Sequence, residues 1–244
     1  MFAVRNQLLL SLPAEEQTKL ALHLRQVHLT RGTVLHDTGG VVERAYFSEG
    51  GAISLVVDLA SGEIIEIALV GLDGVVGGND ALQSEAALNR AVVQIEGTAL
   101  AIEADVLRQL CAQRSELRNL LESYHRYIYA QAQQTAACNV AHSLDARLAR
   151  WLLRARELCG NHFTLTQEAL AAFLGVRRTS VSLTAHAFQD AGVIRYRRGE
   201  IEIVNPEALR GLACECHATL VAHRDRLLAQ PAAKTAALRA SGRF

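Results

Sequence analysis

The sequence lacks any apolar run of the roughly 18 residues that a membrane-spanning helix requires. Its first residues, Met1–Arg5, also lack the basic, apolar and small-residue pattern of a secretory signal. We therefore expect a cytoplasmic protein that does not have a membrane among its partners.

Lysine is nearly missing, since Lys19 and Lys234 are the only lysines and arginine carries almost all positive charge. The guanidinium group suits bidentate contacts with guanine or phosphate. Residues 1–138 hold 10 Lys and Arg against 16 Asp and Glu, whereas residues 139–244 hold 15 against 9. An acidic first part joined to a basic second part fits a sensor attached to a nucleic-acid binder.

The five cysteines are odd in number and scattered, so we expect reduced thiols rather than a disulfide framework. Cys214, Cys216 and His217 have the spacing of one corner of a metal site, but the sequence offers no second pair at a fitting distance. We predict no metal site and leave the cofactor unknown. A phosphate-binding glycine loop with lysine, a metal pair with its general base and an elbow serine are all missing, so an enzyme is not expected.

The most informative stretch runs from Leu165 to Val204. Thr166 is a good helix N-cap, and Gly175 lies where the chain must turn sharply between two helices. The second helix is predicted from about Arg177 to Asp190. Its early exposed positions are arginine, threonine and serine, which are residue types that bond base edges and phosphates.

A basic hairpin follows these two helices. Val193–Tyr196 and Glu200–Val204 are rich in β-forming residues, and Gly199 supplies a turn between them. Together the elements predict a winged helix-turn-helix that binds double-stranded DNA. The expected DNA-contacting residues are Thr166, Gln167, Arg177, Arg178, Thr179, Ser180, Ser182, Leu183, Arg195, Arg197 and Arg198.

The first part of the chain changes character twice. Residues 1–28 read as helical, and residues 29–102 carry glycine and β-branched residues at short intervals, which is typical of a β-sandwich or jelly roll. A long helix is predicted from about Ser115. Its side chains follow a heptad repeat to Cys138, in which the first positions are apolar and the later ones are polar.

We expect this long helix to form a two-fold dimer, because a helix-turn-helix usually reads two half-sites about one helical turn apart. The alternative is an amphipathic helix packed on its own barrel. The dimer residues would be Leu117, Leu121, Tyr124 and Ile128.

The predicted fold is α+β, with four segments. Residues 1–113 form a β-roll sensor domain, residues 114–141 a dimerisation helix and hinge, residues 142–228 a winged-helix DNA-binding domain, and residues 229–244 a disordered tail.

This order of elements, together with Thr166–Val181 and Gly71–Ala91, resembles the CRP/FNR family of bacterial transcription regulators over about residues 7–217. The resemblance implies a homodimer with a cyclic-nucleotide-binding-like β-roll, whose ligand reorients the DNA-binding domains. RNA polymerase is a further candidate partner. The effector pocket implied by the resemblance consists of Gly77, Gly78, Asn79, Asn89, Arg90, Ala91, Gln131 and Thr135.

The chain departs from the cAMP-binding members of that family. Gly78 stands where they have a glutamate for the ribose, and Asn89 stands where they have an arginine for the phosphate. A buried phosphodiester without its counter-charge is costly, and Arg90 is one residue out of register and so points to the opposite face of a strand. We predict a branch that does not bind cAMP in the usual way and whose effector is unidentified.

The recognition helix departs as well. Where the cAMP-dependent members have Arg, Glu and Arg, this chain has Arg178, Thr179 and Leu183, so its preferred DNA site should differ. An iron–sulfur centre of the FNR type needs clustered N-terminal cysteines, and the first cysteine here is Cys111.

Two other effector classes stay open. A haem or gas sensor would draw its ligands from His36, His125, His142 or Cys138, and a cyclic-dinucleotide receptor would use Arg90 and Arg126.

Overall fold

The structure is a computed structural model that describes residues 4–240, with side chains described up to Ala229. It begins with two short helices, α1 (Gln7–Leu10) and α2 (Ala14–Ala21). The predicted helical segment of residues 1–28 is wrong at its end, because the backbone from Arg25 pairs with a later strand instead. The strands that follow are β1 (Arg25–Leu29), β2 (Val34–His36), β3 (Arg44–Ser48), β4 (Ala52–Asp58), β5 (Ile64–Val70), β6 (Val75–Val76), β7 (Arg90–Ile95) and β8 (Gly97–Glu103).

These strands form two antiparallel four-stranded sheets with the orders β1-β8-β3-β6 and β2-β7-β4-β5. Helix α3 (Gly78–Gln83) interrupts the strands after β6. Apolar side chains such as Ile53, Val70 and Val93 are almost fully buried in the core of this domain. The predicted β-roll is confirmed.

Three helices connect the β-roll to the second half of the chain. They are α4 (Ala104–Gln113), the long α5 (Ser115–Ala141) and α6 (Leu144–Cys159). Ser143 caps the start of helix α6, because its Oγ accepts a hydrogen bond from the amide of Ala146 at 3.4 Å. Among the described residues, every helix is too short or too polar to cross a lipid bilayer.

The C-terminal part contains a three-stranded sheet and four helices. Its elements are β9 (His162–Thr164), α7 (Gln167–Leu174), α8 (Arg178–Asp190), β10 (Ile194–Arg197), β11 (Glu200–Ile203), α9 (Pro206–Leu212) and α10 (Cys216–Ala240). The sequence after Pro206 predicts one helix to about Leu228, and this prediction is wrong, because Ala213 is extended and separates α9 from α10. Helix α10 extends to Ala240, within the tail predicted from residue 229, and residues 241–244 lie outside the described residues.

Helix α10 returns along α5 in the antiparallel direction. The start of α10 lies beside the end of α5, where Cys216 and Cys138 meet, and Leu227 is buried in the cluster that includes Leu117 and Leu121 of α5. The first part of α5 is therefore covered within its own chain, by the β-roll and by α10.

Candidate nucleic-acid interface

Helices α7 and α8 form the helix-turn-helix that the sequence predicts. Thr166 Oγ1 accepts a hydrogen bond from the amide of Ala169 at 3.2 Å and caps α7. Gly175 ends that helix with φ of +62°, a conformation that favours glycine. Helix α8 then begins at Arg178, after an Arg177 that makes no side-chain cap.

At the start of α8, Arg177, Arg178, Thr179 and Leu183 are exposed, and we call these four residues the recognition face. Leu183 is 73% exposed although it is apolar, whereas Val181 on the opposite side of the helix is fully buried. The helix is thus buried on one side, and the recognition face lies on its exposed side.

Two of the expected DNA contacts are engaged within the protein. Ser182 Oγ donates to Gln167 Oε1 at 2.6 Å, so these side chains link α8 to α7. Ser182 and Ser180 are both half-buried. Fewer side chains are therefore available to contact DNA than the sequence predicts.

Two further contacts that fix the recognition helix were missed in the sequence. Thr184 Oγ1 donates to Asp145 Oδ1 at 2.7 Å, which links α8 to the start of α6. Arg147 of α6 donates to the carbonyl of Leu174 at the end of α7. A Ser143 cap followed by acidic and basic residues is common in any helix, so no sequence signal identifies these partners.

The basic hairpin forms a tight wing. Arg197 pairs with Glu200 across the hairpin, and the two residues between them, Arg198 and Gly199, both have positive φ, at 53° and 84°. This is the geometry of a two-residue turn that follows the twist of the strands. Arg197 and Arg198 are exposed at the tip, whereas Arg195 pairs with Glu202 on the neighbouring strand.

The wing is held against the helix-turn-helix by Tyr196. Its hydroxyl donates to the carbonyl of Leu165 at 2.8 Å, and its amide donates to Gln189 Oε1 at 2.7 Å. The third strand of the wing sheet, β9, was not predicted from the sequence. These contacts link strand β10 of the wing to the segment before α7 and to the last turn of α8.

A buried carboxyl joins the DNA-binding part to the β-roll. Glu66 of β5 accepts from Trp151 Nε1 at 2.8 Å and from the hydroxyl of Ser54. Burial raises the pKa of Glu66 to about 7, although the two hydrogen bonds and the nearby Arg150 and Arg154 act in the opposite direction. The carboxyl therefore changes charge near neutral pH in the middle of this contact.

A buried ion pair lies beside it. Arg154 of α6 donates to both carboxylate oxygens of Asp73, at 2.6 and 2.9 Å, and to the carbonyl of Leu69 at 3.0 Å. The Asp73 side chain is 3% exposed and that of Arg154 is 12% exposed. A bidentate pair of this kind fixes the angle of α6 on the β-roll.

The predicted effector residues do not form one pocket. Gly77, Gly78, Asn79 and Asn89 line a cavity of about 60 Å³ between the β-roll and α5. Gln131 and Thr135 line a separate cavity of about 30 Å³ further along α5. Ala91 is fully buried in β7, and Arg90 pairs with Asp58 on the sheet surface, as its register in the strand requires.

The larger of these two cavities has little positive charge. Its lining includes Asp80, His36 and His125, and no arginine or lysine from the described residues. Burial lowers the pKa of His36. Neither ring nitrogen of His36 has a hydrogen-bond partner of normal geometry within the described part of the chain.

The predicted dimer residues lie inside the protomer. Leu117, Leu121 and Tyr124 are at most 3% exposed, and Ile128 is half-buried against the β-roll. This is the packing that the sequence left as the alternative, and it removes these positions from the free surface. The exposed side of α5 carries a different heptad series, Arg126, Tyr129, Gln133, Ala136 and Val140, which we call the α5 stripe.

The cysteine corner is larger than the sequence indicated. The expectation that Cys214 and Cys216 lack a second pair is wrong, because Cys138 and His142 at the end of α5 lie beside them. His217 does not belong to this group; its Nε2 lies 3.0 Å from Glu157 Oε1.

Comparison with known proteins agrees with this architecture. Residues 146–212 match the family model of the Crp-like helix-turn-helix domain. No match was found among curated protein sequences.

Solved structures share the fold over most of the chain. FixK2 from Bradyrhizobium japonicum aligns with a TM-score of 0.67 at 15% identity, covering 78% of this chain and 98% of that one. The c-di-GMP-responsive global regulator CLP from Xanthomonas campestris aligns with a TM-score of 0.62 at 13% identity, covering 78% and 99%. A CRP/FNR family transcriptional regulator from Thermus thermophilus aligns with a TM-score of 0.54 at 22% identity, covering 78% and 98%.

The protein therefore carries a Crp-like helix-turn-helix domain on a chain with the fold of CRP/FNR regulators.

Proposed function

We propose that this CRP/FNR-type transcription regulator is a cytoplasmic homodimer that binds duplex DNA sequence-specifically and responds to an effector other than cAMP. The observation that supports the DNA-binding role best is the exposed recognition face of α8 together with the exposed wing arginines. RNA polymerase is a partner that fits a regulator of this type.

The exposed arginines divide into two roles. Arg177 and Arg178, at the start of α8, can enter the major groove, where a guanidinium reads guanine through two hydrogen bonds. Arg197 and Arg198 at the wing tip suit the phosphate backbone, which carries affinity but no sequence information. Binding by two copies would give a two-fold symmetric site.

The α5 stripe is our proposed dimer surface. Its positions follow the 3-4 spacing of a heptad repeat and all five are exposed, with Tyr129 at 62% and Val140 at 92%. Such exposure of an aromatic and a valine on one helix face fits burial against a second copy of the same face.

Sedimentation of a Tyr129→Glu variant tests the dimer surface. We expect monomers, because a charge would have to be buried where two stripes meet. Leu22→Glu, at a leucine that is 81% exposed at the end of α2, is the matched control and should leave the dimer intact. A dimeric Tyr129→Glu variant would move the interface elsewhere.

The cavity between the β-roll and α5 argues against cAMP as the effector. A cavity of about 60 Å³ is well below the roughly 300–1,000 Å³ of typical small-molecule sites. Its lining supplies an aspartate, and the lowered pKa of His36 keeps that ring neutral, so a phosphodiester would lack a counter-charge. Isothermal titration of the purified protein with cAMP should show no tight binding, and tight binding would overturn this part of the proposal.

The other effector classes have less support. His36 and His125 line the same cavity, but its volume is a small fraction of a haem. Cys138 and His142 lie far along α5, in the cysteine cluster. Arg90 and Arg126 line neither of the two cavities along α5.

Selection from random duplexes tests the proposed function directly. The full chain is incubated with a random library at moderate salt, and the bound fragments are sequenced after several rounds. We expect enrichment of two inverted half-sites with centres about 10 base pairs apart. A library that stays random after selection would contradict sequence-specific binding.

A further inference from the structure

Four side chains with metal-binding atoms converge where α5 ends and α10 begins. Cys138 and His142 come from the end of α5, Cys214 comes from the connection between α9 and α10, and Cys216 is the first residue of α10. All four candidate ligand atoms lie within 4.8 Å of one another. Cys138, Cys214 and Cys216 are each at most 8% exposed, so the three thiols are buried together in the protein.

The spacing of these atoms fits a single tetrahedral ion. The Sγ atoms of Cys138 and Cys214 lie 3.5 Å apart, and Cys216 Sγ lies 3.6 Å from His142 Nδ1. A zinc ion bound at about 2.3 Å to sulfur and about 2.0 Å to nitrogen holds its tetrahedral ligand atoms about 3.5–3.8 Å apart. An iron–sulfur cluster places its own irons and sulfides between the ligands and spreads them more widely.

Neighbouring polar side chains orient His142 and Cys216 for metal binding. His142 Nε2 lies 3.2 Å from Glu215 Oε1, and a carboxylate at that nitrogen leaves Nδ1 free to bind a metal. Gln134 Nε2 donates to Cys216 Sγ at 3.0 Å. Carboxylate and amide partners of this kind are common around the ligands of protein-bound zinc.

Ordinary packing does not explain the group as well. A buried cysteine usually behaves as a small apolar residue among other apolar side chains. Within the described chain this cluster contains only cysteines, and the one partly buried apolar residue packed against it is Ala146. Three thiols and an imidazole facing one another therefore point to a common ligand.

We propose that Cys138, His142, Cys214 and Cys216 bind one divalent metal ion of the zinc type, as three thiolates and one imidazole. Binding releases the three thiol protons to solvent, and the ion changes no oxidation state. Its four ligands complete the coordination shell, which is the pattern of a structural rather than a catalytic zinc site.

The position of the site means that a bound ion would limit motion at the hinge between α5 and α6. The site joins the end of α5 to the residues that follow the matched helix-turn-helix domain (residues 146–212), and so it spans the hinge between Ala141 at the end of α5 and Leu144 at the start of α6. A bound ion would restrict the hinge by closing a loop of the chain between Cys138 and Cys214. Loss of the ion should therefore lower the thermal midpoint of unfolding.

Metal content of the full chain is the first measurement. The protein is purified under reducing conditions without chelator, and metals are measured by mass spectrometry with inductively coupled plasma. We expect one zinc per chain, and cobalt substitution should give the intense visible bands of tetrahedral cobalt bound to thiolate. Cys138→Ser and Cys214→Ser should lose both signals.

Three further variants distinguish loss of metal binding from loss of folding. Cys159→Ser removes a cysteine outside the cluster and should keep one zinc per chain. His142→Cys keeps four ligands and should also retain the metal, whereas His142→Ala should bind it more weakly.

The proposal is overturned by a folded wild-type chain that takes up neither zinc nor cobalt. A Cys138–Cys214 disulfide found in peptides from protein purified without oxidant would also overturn it, as would iron with acid-labile sulfide in place of zinc.

Discussion

The buried carboxyl of Glu66 allows a quantitative prediction about the contact between the two halves of the chain. Its pKa rises from 4.5 to about 7 because the side chain is fully buried. The folded protein therefore keeps this proton up to about pH 7, whereas the unfolded chain loses it near pH 4.5. Over that interval the unfolding free energy contributed by Glu66 falls as pH rises, and it stays low above pH 7.

The size of the effect follows from the two pKa values. A difference of one in pKa between the folded and unfolded states corresponds to about 1.4 kcal/mol, so the rise from 4.5 to about 7 amounts to about 3 kcal/mol. Glu66→Gln removes the titration, while the amide can still accept from Trp151 and donate to the Ser54 hydroxyl. Between pH 5 and pH 8 the unfolding free energy of the wild type should therefore fall by about 2–3 kcal/mol more than that of the variant.

Urea denaturation of both proteins at several pH values measures this difference. Glu63→Gln, at an exposed glutamate of the same hairpin, is the matched control and should follow the wild type. Parallel curves for wild type and Glu66→Gln across the range would refute the reasoning, because they would mean that Glu66 has the same pKa in the folded and unfolded states.

Two other predictions concern charge. Arg197→Ala or Arg198→Ala should weaken binding to all duplexes alike and reduce the slope of log affinity against log salt concentration by about one. Binding titrations at several salt concentrations measure this slope. A loss of affinity confined to one sequence would contradict a phosphate contact. Asp73→Ala should lower the unfolding free energy by about 3 kcal/mol, because the buried Arg154 loses its bidentate carboxylate and keeps only Glu157 at 3.7 Å and the carbonyl of Leu69. Asp225→Ala, at a largely exposed aspartate, is its control, and equal stability of the two variants would show that the pair is not needed.

The helix-turn-helix could be predicted because its signals are local. A threonine cap, a turn glycine and a run of basic residues each act within a few positions of Thr166, Gly175 and Arg178. The wing was predictable for the same reason, since Arg198 and Gly199 join two short β-rich segments.

Features that depend on distant parts of the chain could not be predicted in this way. A heptad repeat on α5 indicates an apolar face, but only the fold shows that Leu117 and Leu121 meet the β-roll and α10 rather than a second copy. The cysteine cluster likewise joins Cys138 to Cys214, and nothing near either residue indicates the other.

The contact between the two halves also depends on residues that are far apart in the sequence. Glu66 lies in a strand of apolar residues, and its partner Trp151 is 85 positions away. A single glutamate in such a strand does not reveal whether it is exposed or buried.

The most direct test of the DNA-binding account is to repeat the random-duplex selection with Arg178→Ala and with Arg25→Ala, an exposed arginine of β1 that lies outside the proposed interface. We predict that Arg178→Ala relaxes one guanine in each half-site, at a cost of about 1–3 kcal/mol on the wild-type site. The Arg25→Ala variant should select the wild-type motif. An unchanged motif and affinity for Arg178→Ala would contradict the assignment of α8 as the helix that reads DNA.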